Sequence, residues 1–133
     1  MKRYSRPSEP GRETSGKLVL VVDDDPGIQE LLELALRTEG YQVISARDGR
    51  EALERIAEIM PDVVVLDLMM PRLDGPGFLA ETKRIGIRDQ LSVMVLSAAS
   101  RGKDHATELG AEAYIDKPFS LHEFLEEVSR LAA

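Results

Sequence analysis

Short apolar runs recur along the chain, and the intervals between them are long enough for helices. The runs at residues 18–22 and 63–66 contain only aliphatic side chains and are rich in valine. Runs of this length and composition are too short for helices and are typical of strands buried on both faces. Similar runs at residues 41–46, 91–97 and 113–116 predict three further strands.

Apolar residues at helical spacing occupy most of the intervals between these runs. Three of the predicted helices have clear start signals, in which a capping side chain precedes the first turn. These signals are Asp25 with Pro26, Asp48 with Glu51, and Ser120 with Glu123. Pro71 and the Asp-Gly-Pro-Gly sequence at residues 74–77 predict a loop, and a less regular third helix follows at about residues 78–85.

Strands that alternate with helices imply right-handed crossovers and a parallel sheet covered on both faces. We therefore expect an α/β fold, a doubly wound five-stranded parallel sheet with the flavodoxin-like order 2-1-3-4-5. Residues 17–133 would form this single domain, and residues 1–16 a disordered, basic N-terminal extension. A fourth helix is supported only by Ala106 and Leu109.

Composition narrows the possible functions. The chain has 43% hydrophobic and 31% charged residues, which is typical of a soluble globular protein, so we expect a cytoplasmic protein without a membrane span. It has no cysteine and only two histidines, which excludes disulfides, thiol nucleophiles and histidine-rich metal clusters. The net charge is −7 although residues 1–17 carry five basic and two acidic side chains, so the folded part is strongly acidic. This charge argues against direct nucleic-acid binding.

Polar residues stand where four of the five predicted strands end: Asp23 with Asp24, Asp67, Ser97 and Lys117. In the expected strand order the first and third strands are neighbours, so the three carboxylates would converge. Carboxylates that lie so close repel one another unless a cation lies among them, and oxygen ligands with room for water describe a Mg²⁺ site. A nucleophilic carboxylate beside Mg²⁺, a hydroxyl and an ammonium group suits phosphoryl transfer to aspartate.

Each of these residues also has a purely structural interpretation. Asp67 would cap the loop after its strand, Ser97 would end a strand, and Lys117 would be solvated. The coincidence of such residues at four strand ends makes the structural interpretation the weaker one.

The motifs resemble those of response-regulator receiver domains, the phosphoacceptor domains of bacterial two-component signalling. The matching stretches cover residues 17 to about 131 and are found at residues 21–24, 40–43, 48–53, 66–71, 74–75, 96–98 and 117–119. The resemblance implies that Asp67 is the phosphorylated residue. It implies that Asp23, Asp24, Asp67 and the backbone carbonyl of Met69 hold Mg²⁺, with Asp24 the more direct ligand of the acidic pair.

The resemblance also assigns the residues that surround the phosphoryl group. Ser97, the backbone of Ala98 and Lys117 would contact the phosphate, and the bond from Lys117 to Pro118 should be cis. Tyr114 occupies the position of the aromatic switch residue, although a half-buried strand aromatic would look the same. The resemblance implies a signalling module and not an enzyme. Such a module assists its own phosphorylation and dephosphorylation.

The implied partners are a sensor histidine kinase or histidine phosphotransfer protein and a downstream protein that the sequence does not identify. From Ser97 to Lys117 is 20 positions, about two fewer than is common in the family. The shortage lies before Gly110, around the weak fourth helix, so we expect a monomer and not the dimer that many receivers form on this face.

Two other functions compete with this interpretation. Haloacid-dehalogenase-type enzymes also phosphorylate an aspartate after a buried strand, but they need a second aspartate two positions later, where this chain has Met69. A receiver-like binding module that no longer uses phosphate is disfavoured because the whole set of Asp23, Asp24, Asp67, Ser97 and Lys117 is present.

Overall fold

The computed structural model describes residues 16–68, 70, 72–98 and 110–133. Residues 1–15 of the N-terminal extension, Met69, Pro71, Ala99 and the expected fourth helix lie outside the described residues. The strands are β1 Leu18–Val22, β2 Gln42–Ala46, β3 Val63–Asp67, β4 Ser92–Ala98 and β5 Ala113–Lys117. The helices are α1 Pro26–Thr38, α2 Gly49–Glu58, α3 Gly75–Arg84 and α4 Leu121–Ala132, with a 3-10 turn at Arg88–Gln90.

All five strands are parallel and follow the order β2-β1-β3-β4-β5, as predicted. Alternate side chains of each central strand point to opposite faces of the sheet. Val19 and Val21 of β1 pack in the core beneath α1 and α4, whereas Leu20 and Val22 pack in the core beneath α2 and α3. Both faces are covered, which is why the central strands contain almost no polar side chains.

The predicted caps of three helices are present. Asp25 accepts hydrogen bonds from the backbone N–H groups of Gly27 and Ile28, and Asp48 accepts one from Glu51. Ser120 accepts a hydrogen bond from the backbone N–H of Glu123 at the start of α4. Each cap satisfies backbone donors that the first helical turn leaves without an intrahelical partner.

The third helix begins earlier than the sequence suggested. Residues 75–77 are helical and not part of a loop, because Asp74 acts as the N-cap and accepts a hydrogen bond from Gly77 at 2.9 Å. Pro76 lies in the first turn, where a missing N–H group costs nothing. The same residues that are typical of a loop here form the start of a helix.

Among the described residues no helix is long and apolar enough to cross a membrane.

Candidate functional site

The carboxyl ends of β1 and β3 bring three carboxylates together. Asp23 and Asp24 follow β1 directly, and Asp67 is the last residue of the neighbouring strand β3. One carboxylate oxygen from each of the three lies within 4.8 Å of the others. Asp23 and Asp67 are buried and Asp24 is exposed, so the cluster opens to solvent on the Asp24 side.

Asp23 is held in an unfavourable environment for a negative charge. Burial raises the pKa of its carboxyl group to about 6, and the nearby charge of Asp67 adds to the effect, whereas the backbone N–H of Asp25 and the ammonium of Lys117 oppose it. Oδ1 accepts that N–H at 2.9 Å, but Oδ2 is buried without a hydrogen-bond partner among the described residues. A buried carboxylate oxygen beside two further carboxylates fits a divalent cation such as Mg²⁺.

Lys117, the last residue of the edge strand β5, brings a positive charge to the acidic cluster. Its Nζ lies 3.6 Å from Oδ1 of Asp67 and 4.0 Å from Oδ2 of Asp23. The peptide bond between Lys117 and Pro118 is cis, as expected. The side chain is about one-third exposed, so it can still contact a group that enters from solvent.

Ser97 lies on β4, between the strands that carry Asp67 and Lys117. Asp67 is paired with Leu96, the residue before Ser97, and Lys117 is paired with Ala98, the residue after it. The Ser97 hydroxyl is buried and has no hydrogen-bond partner among the described residues. A buried hydroxyl of this kind can donate a hydrogen bond to a bound anion.

Two further predicted site residues, Ala98 and Tyr114, lie on the adjacent strands β4 and β5. The backbone of Ala98 belongs to β4, next to Lys117 on β5. Tyr114 is half-buried on β5 and packs against the core beneath α2 and α3. Met69, whose carbonyl was expected to bind Mg²⁺, lies outside the described residues.

Two polar residues near the site were not predicted. Gln29, on the first turn of α1, donates hydrogen bonds to the carbonyl oxygens of Asp23 and Ala46. Arg72, in the loop after Asp67, donates to Asp48 at the start of α2 and has a positive φ of 63°. Neither belongs to a spacing pattern, because the contacts of Gln29 with Ala46 and of Arg72 with Asp48 join elements that are distant in sequence.

The sequence of the chain matches the family model for the response regulator receiver domain over residues 19–129. The chain belongs to the response-regulator receiver family. It therefore contains the receiver domain of two-component response regulators, and its fold is the one expected for that family.

Named relatives agree with this assignment. The receiver domain is 44% identical over 115 residues to "Response regulator MprA" of Mycolicibacterium vanbaalenii, a match covering 85% of this chain and 49% of the relative. It is also 44% identical over 104 residues to "Probable transcriptional regulator ycf27" of Guillardia theta, and this match covers 77% of this chain and 40% of the relative. The chain thus spans about half the length, or less, of these curated relatives.

Solved structures have the same fold. The receiver domain of the Francisella response regulator 1452 is 35% identical with a TM-score of 0.79, covering 87% of this chain and 96% of that one. The response regulator TrrA of Thermotoga maritima, solved in complex with Mg²⁺-BeF, is 34% identical with a TM-score of 0.77, covering 86% of this chain and 98% of that one.

Proposed function

We propose that this receiver domain takes a phosphoryl group from a phosphohistidine onto Asp67 with the help of Mg²⁺. The observation that carries the proposal is the convergence of Asp23, Asp24 and Lys117 on Asp67. The complex of the Thermotoga maritima regulator with Mg²⁺-BeF supports the choice of cation. The donor would be a sensor histidine kinase or a histidine phosphotransfer protein.

In the proposed reaction a carboxylate oxygen of Asp67 attacks the phosphorus atom of the donor. The new O–P bond forms as the P–N bond to the donor imidazole breaks, and the imidazole nitrogen keeps the electron pair of that bond. The product is an aspartyl phosphate. No oxidation or reduction occurs, and the attacking oxygen is that of the carboxylate form of Asp67.

Mg²⁺ would neutralise negative charge on the transferring phosphoryl oxygens and on the carboxylates. Asp23 and Asp24 supply the carboxylates that hold the cation, together with Asp67 and the backbone carbonyl of Met69. Lys117 and Ser97 offer an ammonium and a hydroxyl, and the backbone N–H of Ala98 offers a third donor to the same oxygens.

Phosphorylation of Asp67 would change the structure of the protein at β4 and β5. A phosphoryl group on Asp67 would give an acceptor to the Ser97 hydroxyl, which has no hydrogen-bond partner among the described residues, and movement of Ser97 would change the space available to Tyr114 on the neighbouring strand. We infer that this rearrangement alters the surface presented to a downstream protein.

An apolar groove beside the site offers a docking surface for the phosphodonor protein. It lies between α1 and the start of α4, and its apolar lining includes Leu31, which is 46% exposed, and Leu121, which is 37% exposed. Lys117 also lines the groove, and its Nζ is 3.6 Å from Asp67. A helix bound in the groove could therefore present a phosphohistidine to Asp67.

Intact-mass spectrometry tests the proposal. With Mg²⁺ and a small phosphodonor, the mass of the protein should rise by one phosphoryl group, and Asp67→Asn should abolish the rise. Asp62→Asn is the matched control, because Asp62 immediately precedes β3 and its carboxylate accepts a hydrogen bond from Leu18 at the opposite edge of the sheet. An Asp67→Asn protein that gains the phosphoryl group in equal yield would overturn the assignment.

A further inference from the structure

Gln29 connects the ends of two strands next to the acidic cluster. It lies on the first turn of α1 and is half-buried. Its Nε2 atom is 2.9 Å from the carbonyl oxygen of Ala46, at the end of β2, and 3.2 Å from that of Asp23, after β1.

The chemistry of these contacts fixes the orientation of the amide. Both partners are carbonyl oxygens, which only accept hydrogen bonds, so the NH₂ group and not the oxygen of Gln29 must face them. An amide has two N–H bonds, one for each carbonyl. The carbonyl of Ala46 also accepts the backbone N–H of Asp23 at 3.0 Å, so the three residues form one compact junction.

This junction determines where the carboxylate of Asp23 points. The main chain of Asp23 is held by Gln29 at its carbonyl and by Ala46 at its N–H group. The side chain is held at Oδ1 by the backbone N–H of Asp25, which leaves Oδ2 in the acidic cluster. The first two hydrogen bonds restrain the main chain of Asp23, and the third restrains its carboxylate.

Electrostatic repulsion favours separation of the three carboxylates. Oxygen atoms of Asp23, Asp24 and Asp67 lie within 4.8 Å of one another, and their charges repel when no cation separates them. A turn free to relax would separate the acidic pair from Asp67, and a cation would then have to bring the carboxylates together again. Holding the turn in place removes that cost from cation binding.

We propose that Gln29 is a positioning residue that sets the acidic pair of Asp23 and Asp24 for divalent-cation binding. It touches neither the cation nor the phosphoryl group. The inference rests on the proposed function, since it assumes that the cluster binds Mg²⁺.

Calorimetric titration of the protein with Mg²⁺ tests the inference. Gln29→Met keeps the length of the side chain but removes both donors, and we expect its Mg²⁺ dissociation constant to rise by about 10-fold, the usual effect of losing a group that orients a metal ligand. Thr38→Val is the matched control. It loses a hydrogen bond from Thr38 Oγ1 to Leu34 at the other end of α1, and it should bind Mg²⁺ as the wild type does.

The Mg²⁺ dependence of phosphorylation by a small phosphodonor distinguishes positioning from a general loss of structure. In Gln29→Met the Mg²⁺ concentration for half-maximal rate should rise by the same factor, while the rate at saturating Mg²⁺ stays within about twofold of wild type. Gln29→Glu is a second variant, in case Gln29→Met does not fold. Its added negative charge would attract Mg²⁺, yet it cannot donate to two carbonyls, so positioning predicts weaker binding.

Wild-type Mg²⁺ affinity in a folded Gln29→Met protein would overturn the inference, as would affinity in Gln29→Glu equal to or tighter than wild type. An equal loss of affinity in Thr38→Val would also overturn it, because loosening of α1 would then be sufficient. A wild-type protein that binds no Mg²⁺ would instead contradict the proposed function.

Discussion

Asp48 and Arg72 form an ion pair that ties the start of α2 to the loop after the proposed phosphoacceptor. Nε of Arg72 lies 2.7 Å from Oδ2 of Asp48, and Oδ1 of Asp48 accepts the backbone N–H of Glu51 at 2.9 Å. Burial alone would raise the pKa of Asp48, but the hydrogen bonds from Arg72 and Glu51 outweigh burial and hold the pKa below the ordinary 3.8.

We predict that Arg72→Met raises the pKa of Asp48. A carboxyl group with a lowered native pKa stabilises the fold above its unfolded pKa of 3.8, and this stabilisation is lost as the pH falls through the native value. The difference in unfolding free energy between wild type and Arg72→Met should therefore be constant above about pH 5 and shrink below it. NMR titration of the Asp48 carboxyl carbon, with urea unfolding at each pH, measures both quantities.

Arg84→Met is the control for this prediction, because Arg84 pairs with Glu81 on the surface of α3 and not with Asp48. The account of Asp48 fails if its pKa is the same in wild type and Arg72→Met.

The residues two positions after Asp67 and two positions after Ser97 should set the lifetime of the aspartyl phosphate. By resemblance to the family, these are the positions that flank the hydrolytic water, and this chain has Met69 and Ala99 there, neither of which can orient a water through its side chain. Both lie outside the described residues, so this prediction rests on the sequence. We expect slow self-dephosphorylation that Met69→Asn accelerates, measured as loss of phosphorylated mass after the donor is removed.

Met60→Asn is the control, since Met60 precedes β3 at the opposite edge of the sheet. A decay rate that Met69→Asn leaves unchanged would show that the water is not positioned from this residue.

At the scale of elements, the strands were predicted to within about one residue at each end, whereas the start of α3 was not. Apolar runs predict the bounds of the strands because a strand that is buried on both faces has few positions for polar side chains. The Asp-Gly-Pro-Gly sequence at residues 74–77 is typical of a loop, but it also fits a helix start in which Asp74 caps the backbone N–H of Gly77. The approach of this turn to Leu68 also needs a glycine, since a Cβ at Gly75 would lie 2.8 Å from the side chain of Leu68.

Gly49, the first residue of α2, is required by a close approach to the loop after Asp67. Its N–H donates to the carbonyl oxygen of Leu73 at 2.8 Å, and a Cβ at Gly49 would lie 2.5 Å from that oxygen. We predict that Gly49→Ala lowers the free energy of unfolding by about 1–3 kcal/mol, because two backbone segments must separate. Urea denaturation measures the change.

Gly27, in the first turn of α1, is the matched control. Within the described part of the chain a Cβ there would meet only the Asp25 carboxylate within 4 Å, at 3.3 Å, so Gly27→Ala should leave stability unchanged or raise it by up to about 1 kcal/mol. Equal effects of the two substitutions would contradict the role given to the contact between Gly49 and Leu73.

At the scale of the whole molecule, strand order explains why the acidic cluster could be predicted. Once the order is 2-1-3-4-5, the ends of β1 and β3 must be neighbours, and Asp23, Asp24 and Asp67 come together without further information. Gln29 and Arg72 could not be found in this way. Their side chains contact residues of other elements, and the spacing of apolar and polar residues along the chain does not predict such contacts.

The short segment between Ser97 and Gly110 predicts the behaviour of the activated protein. Residues 99–109 lie outside the described part of the chain, and their sequence offers only Ala106 and Leu109 as apolar support for a helix. We expect the protein to remain largely monomeric with Mg²⁺ and beryllofluoride in sedimentation velocity experiments. A tight dimer that forms only in the activated sample, and that substitutions at residues 103–109 abolish, would contradict this expectation.

Chemical mapping of the phosphorylated residue tests the central claim most directly. Borohydride reduces an aspartyl phosphate to homoserine, so treatment of the phosphorylated protein followed by peptide mass spectrometry marks the acceptor. The account predicts homoserine at Asp67 alone, and only when Mg²⁺ is present during phosphorylation. Homoserine at Asp23 or Asp24, or equal labelling of Asp67 without a divalent cation, would contradict it.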